Sequence, residues 1–478
     1  MDINIKDNTR IYYFKTKILV IFIITTIFFI IKSPRLECHV WHVDMACVLT
    51  SGQQLLNYGK YPFVDFFTQY GPLSTYSMAF ALLVWNTPLS MNIFCSIFLG
   101  LTITLFNMII YRRSTVLQRL IGTLICCYSV TSFYRWWECL FVLLTYYILS
   151  SNKLSQKNIF YAACISGITF LFRFDLGIFC FTFCLANILY NKIFIIKDFK
   201  IFRALTLLNV GFMLIIICWL DVLLFQGGSI LDYFSCTFYF SGYKFASGEA
   251  VYQLKYIIIE ILYLLLVVVS FVLGIKHKDR VFFNTGLVVI GLFPLCYFQK
   301  SVSHYTPMLP AYIMGCIFFT KYLFGNFKII SYIMMLVCYY CLLPDAGYMM
   351  TKIDKNPFNK LKKLNDYRAL KIEYPDIFAI KRIEELKVSH EGLVFAIIFP
   401  QYYYFTDSEN KDIFIEHLYF KNSEYWTQRF NENFKKLDPA IVAVNNKFLS
   451  HDLNLQRILS NSYTLDSKFG GVVIYKHR

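Results

Sequence analysis

Long apolar runs separated by short basic turns dominate the first 344 residues. Segments 18–31, 204–225, 256–275 and 281–298 each contain at most one charged residue. A helix of about 20 apolar residues matches the ~30 Å hydrocarbon core of a bilayer. The pattern predicts eleven such spans, at 18–33, 89–111, 118–134, 138–151, 159–173, 177–196, 204–225, 255–275, 281–298, 307–322 and 329–344. The first is read as an uncleaved helix, because no small-residue cleavage site follows it. Segment 73–85 is apolar but short and is predicted to be re-entrant or interfacial.

After residue 344 the pattern changes. Lys, Asn, Asp and Glu become common, and amphipathic helices are predicted at 375–386 and 423–437. Short apolar runs at 393–399, 440–444 and 472–475 predict strands. The expected fold class is a polytopic α-helical membrane protein of about eleven transmembrane helices, over 1–344, followed by an extracytoplasmic α/β domain over 345–478. The first outer loop spans 34–88.

Composition supports the membrane assignment. Of 478 residues, 57% are hydrophobic and only 16% charged, whereas soluble domains carry about a quarter charged. Cytosolic enzymes, nucleic-acid binders and secreted disulfide scaffolds are thereby excluded. The net charge of +16 does not indicate nucleic acid, because residues 1–344 hold 26 Lys/Arg against 13 Asp/Glu while the rest is nearly neutral, with 20 against 17. Eighteen of the 26 fall at one set of span ends, which places the N-terminus in the cytoplasm and the C-terminus outside. All 15 cysteines precede position 342, mostly in apolar segments, so small packing residues are expected. Cys338 and Cys341 form a CxxC inside a predicted span, where packing is again the simpler reading.

Acidic residues collect on the outer side, at Glu37, Asp44, Asp65, Glu138, Asp175, Asp232 and Glu249, with Asp221 and Glu260 near outer helix ends. Carboxylates in or beside a bilayer are costly and usually mark function. The first outer loop is the densest in candidates: Trp41-His42-Val43-Asp44, Gly52-Gln53-Gln54, Tyr58-Gly59-Lys60-Tyr61-Pro62-Phe63-Val64-Asp65-Phe66-Phe67 and Gln69-Tyr70-Gly71-Pro72. Residues 44–56 read as an amphipathic helix with Asp44 near its positive end, where a carboxylate is also simply a good cap.

These motifs resemble the GT-C superfamily of integral-membrane glycosyltransferases, in particular bacterial members of the dolichyl-phosphate-mannose protein mannosyltransferase-like group. The match rests on Asp44 after the first helix and on Gly59, Pro62, Phe63, Asp65 and Phe66, which stand where that group has G-x-x-P-Y-x-D-F. Gly71, Pro72 and Leu73 then lead into the next apolar segment. Arg173-Phe174-Asp175-Leu176-Gly177 resembles its R-x-D-x-G element, and Lys300 to Pro307 its polar outer loop with a basic residue and a His. Phe63 replaces a common Tyr, and His42-Val43-Asp44 lacks the second acid that metal-dependent members carry.

The resemblance implies a sugar donor on a polyprenyl phosphate and an extracytoplasmic glycan, lipid or protein as acceptor, including O-antigen-type polysaccharide. Asp44 is then the general base for the acceptor hydroxyl. Arg173, Lys300, His304 and Arg135 are donor-phosphate ligands, opposing the charge that grows on the leaving group. His42, Asp65, Tyr70 and Asp175 contribute substrate binding or support the loop. Each has a plainer alternative: Arg173 with Asp175 as an interfacial anchor and cap, Lys300 snorkelling to headgroups, His304 as a loop residue, Asp65 as a turn residue. Trp136 and Trp137 read as part of the interfacial aromatic belt. There is no D-x-D, phosphate loop or H-E-x-x-H, so no metal or cofactor is indicated. A flippase or exporter of lipid-linked glycans is the competing class.

Overall fold

The computed structural model describes residues 2–32, 43–111, 113–129, 135–151, 154–196, 199–246, 254–297, 309–323, 329–337, 361–362, 365–366, 377–389, 394–397, 400–412, 414, 424–449 and 453–478. It is mostly helical with one small sheet. Among the described residues, four helices are long and apolar enough to cross a membrane: Pro88–Ile110, Phe174–Ile195, Ile201–Phe225 and Ile257–His277. Shorter apolar helices accompany them. The chain is a multi-pass membrane protein.

It divides into two compact units, Met1–Ser33 with Ile93–Trp219 and Ser241–Lys355, and Pro34–Asn92 with Leu220–Phe240 and Asn356–Arg478. In the first lie α1 (Asp2–Lys32), most of α4 (Pro88–Ile110), α5 (Val116–Ser129), α6 (Trp137–Leu149), α7 (Gln156–Phe172), α8 (Phe174–Tyr190), most of α9 (Ile201–Phe225), α11 (Leu254–His277), α12 (Arg280–Tyr297) and α13 (Leu309–Leu323). Glycines set the closest crossings. A Cβ on Gly167 would lie 2.8 Å from Ile215 Cβ, and one on Gly211 2.9 Å from Ala163 Cβ, so α7 and α9 approach through small residues. Helices α7 and α8 share Arg173 as C-cap and N-cap, with no loop between them. In the α11–α12 turn Lys278 adopts φ 54°, and Asp279 Oδ1 accepts from Val281 N at 2.8 Å to cap α12.

The second unit begins with α2 (Val43–Tyr58) and α3 (Pro72–Val84). At 13 residues, α3 is only about 20 Å long, too short to cross the hydrocarbon core. A Cβ on Gly52 would lie 2.8 Å from Met78 Cβ, which brings α2 onto α3. The unit also holds Leu220–Phe225 of α9 and most of α10 (Ile230–Ala246). The hydropathy pattern gives α10 no span, because Asp232, Ser235 and Thr237 interrupt its apolar run.

Its C-terminal part contains α14 (Ile377–Ser389), β1 (Val394–Ile397), α15 (Pro400–Phe405), α16 (Glu424–Leu437), β2 (Ile441–Asn445), α17 (Asn446–Leu449), α18 (Leu453–Ser462), β3 (Tyr463–Phe469) and β4 (Val472–His477). The sheet order is β1-β2-β4-β3, with β1 parallel to β2 and the other pairs antiparallel. Parallel pairing demands a crossover, and α16 lies within it, burying Trp426, Phe430 and Phe434 at a spacing of four. Residues 441–444 are wholly buried, as befits a central strand covered on both faces. Helices α15 and α18 and strand β3 go beyond the elements expected from the sequence. β3 alternates too little to be seen, having Asp466 and Lys468 on a mostly exposed edge.

Candidate functional site

In the first unit, two guanidinium groups meet on one carboxylate. Arg135, just before α6, donates from Nε to Glu138 Oε1 at 2.7 Å. Arg173, in the α7–α8 junction, donates from Nη1 to the same oxygen. It also grips Asp175 with two bonds, Nε to Oδ1 at 2.8 Å and Nη2 to Oδ2 at 2.9 Å. Asp175 lies in the first turn of α8 and accepts from Leu176 N at 3.0 Å, where the helix dipole also favours its charge.

The cluster is buried unequally. Side-chain exposure is 1% for Glu138, 5% for Arg135 and 7% for Arg173, but 22% for Asp175, so solvent reaches it from the Asp175 side. Glu138 Oε2 is buried and has no hydrogen-bond partner among the described residues. Around it, Trp136 stacks on Phe98 at 4.1 Å and Trp137 on Phe172 at 5.2 Å. These tryptophans are 3% and 0% exposed, so they do not form an interfacial belt but pack the wall of the ion cluster. In such surroundings charges persist only when paired, and here two cations balance two anions.

The arrangement brings together Arg135, Arg173 and Asp175 and adds Glu138, to which the sequence reading assigned no role. The signal was present: Arg135 and Glu138 are three residues apart, at the start of an otherwise apolar helix. Both arginines already hold carboxylates. A phosphate would have to compete with them, most readily with Asp175, the more exposed partner. Gly177 serves packing: a Cβ there would lie 2.3 Å from Phe170 Cα and 2.4 Å from Phe170 N.

In the second unit, Asp44 occupies the first turn of α2, whose backbone starts at Val43. His42, Lys300 and His304 lie outside the described residues, as do Cys338 and Cys341. Helix α2 ends at Gly59, with φ +64°, and Lys60 N reaches back to Gln54 O at 3.1 Å. The following turn closes through Asp65 N to Tyr61 O at 2.9 Å and Tyr61 N to Asp65 Oδ2 at 2.7 Å. Asp65 therefore holds the loop, and Lys60 Nζ stands 3.9 Å from its Oδ1. Phe63 sits at φ 63° inside this turn, with its ring edge-on to Tyr233 at 5.0 Å. Phe67 packs edge-on against Trp426 at 4.8 Å. Tyr70 is 2% exposed, a core residue of this unit.

Gln54 links this helix to the C-terminal part. Its Nε2 donates to Ser408 O at 3.0 Å, and its Oε1 accepts from Asn410 N at 2.7 Å. Thr50 Oγ1 donates to Pro400 O at 2.9 Å, and Tyr58 to Asp407 Oδ1 at 3.0 Å. Burial and the neighbouring carboxylates of Asp407 and Glu409 push the Tyr58 phenol well above its ordinary range. Arg429 pairs with Asp232 at 2.9 Å beneath the rings of Phe67, Tyr425 and Trp426. Nothing in the linear pattern joins these segments.

No protein-family model matches the sequence, and no curated protein is similar to it. Solved structures are. The archaeal oligosaccharyltransferase AglB from Archaeoglobus fulgidus, in complex with an inhibitory peptide and a dolichol-phosphate, is 11% identical, with a TM-score of 0.48 over 98% of this chain and 75% of that one. The apo form of the Archaeoglobus fulgidus oligosaccharyltransferase is 12% identical, with a TM-score of 0.44 over 96% and 74%.

Proposed function

We propose that this chain is a membrane glycosyltransferase that moves a sugar from a polyprenyl-phosphate donor to an extracytoplasmic acceptor. The observation that carries the reading is the Arg135–Glu138–Arg173–Asp175 cluster: two guanidinium groups in apolar surroundings, one of them bound to a carboxylate that solvent can reach. A lipid phosphate can take the place of Asp175 on Arg173, since bidentate phosphate and carboxylate recognition use the same planar fork. The first-loop motif supports Asp44 as base, assigned from its own part of the chain.

The reaction balances simply. Asp44 takes the proton of the acceptor hydroxyl as its oxygen attacks the anomeric carbon. The bond from that carbon to the phosphate oxygen breaks, and the phosphate leaves with the electron pair. One displacement inverts configuration. The proposal includes the eleven-span topology with a cytoplasmic N-terminus, an inner-membrane location, an extracytoplasmic 345–478 domain and a surface polysaccharide such as O-antigen as acceptor.

The test is purified protein in liposomes with radiolabelled polyprenyl-phosphate hexoses and candidate acceptors, wild type beside Asp44→Asn and Arg173→Gln. Transfer by wild type that collapses by about a hundredfold or more in Asp44→Asn is expected. Equal transfer by Asp44→Asn removes it as the base. Donor crossing the bilayer without transfer would identify a flippase instead.

A further inference from the structure

A cavity of about 640 Å³ lies within the first unit, in the size range of small-molecule sites. Four helix ends build it. The last turn of α4 contributes Ile109, the last turn of α6 contributes Tyr146 and Ser150 beyond it, the first turn of α7 contributes Asn158, and the start of α12 contributes Val281. The Arg173 cluster stands at the opposite ends of the same helices: Glu138 opens α6, and Arg173 closes α7. Along the 13 residues of α6 that separation is about 20 Å. The cavity is therefore not part of the site described above.

Its walls are held in place. Asn158 Nδ2 donates to Ser151 Oγ at 2.7 Å, and Tyr146 Oη donates to Val281 O at 3.2 Å. Asn284 Nδ2 donates to Ser150 Oγ at 3.0 Å, and Arg280 Nη1 to Ser151 O at 2.9 Å. Among the described residues, one charged group lines the cavity, Arg113. Its guanidinium lies over the rings of Phe282 and Phe318 and pairs with Asp279 through Nη1 alone, at 3.1 Å. The rest of the fork stays available to an anion.

Two further facts identify the occupant. Lining tyrosines Tyr147 and Tyr161 are 45% and 56% exposed, and tyrosines exposed at the end of a membrane bundle sit at headgroup depth. The described residues in or beside the turns at this end include Arg113, Arg119, Lys157, Lys192, Lys200, Lys276, Lys278 and Arg280, with Asp279 as a carboxylate among them. Such a basic rim attracts anionic lipid, by about 1 kcal/mol per cation near the surface. We infer that this cavity binds the phosphate headgroup of an anionic glycerophospholipid from the leaflet at this end, with Arg113 as its anion partner.

Native mass spectrometry of the detergent-purified full chain with phosphatidylglycerol tests this, with phosphatidylcholine and inorganic phosphate as comparison probes. Arg113→Gln should weaken phosphatidylglycerol binding about fivefold to tenfold, the effect of one charge-assisted contact. Asp279→Asn frees the guanidinium yet keeps a capping oxygen for α12, and should strengthen binding. Lys192→Gln, a rim cation outside the lining, should weaken it less than Arg113→Gln does. Unchanged binding in Arg113→Gln overturns the inference, and so does equal binding of phosphatidylcholine. Displacement of the lipid by inorganic phosphate at low millimolar concentration would show a free-anion site and overturn the lipid assignment. If Arg113→Gln does not fold, Asp279→Asn decides alone: unchanged or weaker binding there overturns it.

Discussion

Replacing Glu138 by Gln removes one negative charge and keeps the shape. In the native cluster Glu138 Oε1 serves both Arg135 and Arg173, and all three side chains are at most 7% exposed. The amide oxygen of Gln can still accept one bond. What it cannot do is carry charge, so among the described residues the cluster loses one of its two carboxylates, in the company of Trp136, Trp137 and Phe172. Breaking a buried ion pair by removing one partner costs about 3–5 kcal/mol. An isolated Arg at a helix centre in the membrane costs about 2.5–3.5 kcal/mol on insertion scales. The two bounds meet near about 3 kcal/mol, and Asp175, which still compensates Arg173, favours the lower end.

Arg135 loses its bond to the Glu138 carboxylate in that variant, so Arg135→Gln should be harmful alone but helpful in the Glu138→Gln background. Coupling in this double-mutant cycle should be about 2 kcal/mol. The assay is thermal unfolding of detergent-purified variants followed by tryptophan fluorescence, at one scan rate. With about 2 °C per kcal/mol for a large domain, Glu138→Gln should melt roughly 6 °C below wild type and the double variant a few degrees above the single. A loss below about 1 °C, or a double variant no more stable than the single, would refute the charge-balance argument.

Three other outcomes follow from packing and charge. Gly177→Ala should abolish folding or cost more than about 3 kcal/mol, read as loss of monodisperse protein in size-exclusion chromatography, because its Cβ would lie 2.3 Å from Phe170 Cα. Gln54→Leu should leave Ser408 O and Asn410 N unpaired at about 1–3 kcal/mol, exposing 400–414 to limited proteolysis sooner than in wild type. The third concerns Arg382, which grips Asp466 with two bonds of 2.7 Å and holds its carboxyl below the ordinary carboxylate range. A depressed folded value means that this stabilisation is present above the unfolded value of about 3.9 and is lost as pH falls through the folded one. Because Arg382 is 36% exposed, the pair contributes about 1 kcal/mol at most. Arg382→Gln should lower denaturant stability at pH 7, by an amount that shrinks as pH falls below about 4.

Much of the architecture was legible in the chain. Apolar runs of the right length announced the membrane helices, because a bilayer leaves the backbone no alternative to internal hydrogen bonding. The short segment before Trp85 announced itself through its length, and α16 through its spacing of four. β3 and α10 were less legible, since exposed edges and half-polar helices lack a strong period. Of the ion cluster, Arg173 and Asp175 stood out because charges near a bilayer are rare, whereas Glu138 looked like one carboxylate among seven on the outer side.

Hydrophobic length and the placement of basic residues are local quantities, so sequence by itself determined that this is a multi-pass membrane protein with a polar C-terminal part. Pairing is not local. Only the tertiary structure decided that Glu138 would lie between Arg135 and Arg173, that Gln54 would bond to residues more than 350 positions away, and that four helix ends would enclose a cavity around Arg113. Each depends on which buried charge or amide finds a partner, a condition that burial enforces and that no single stretch of chain contains.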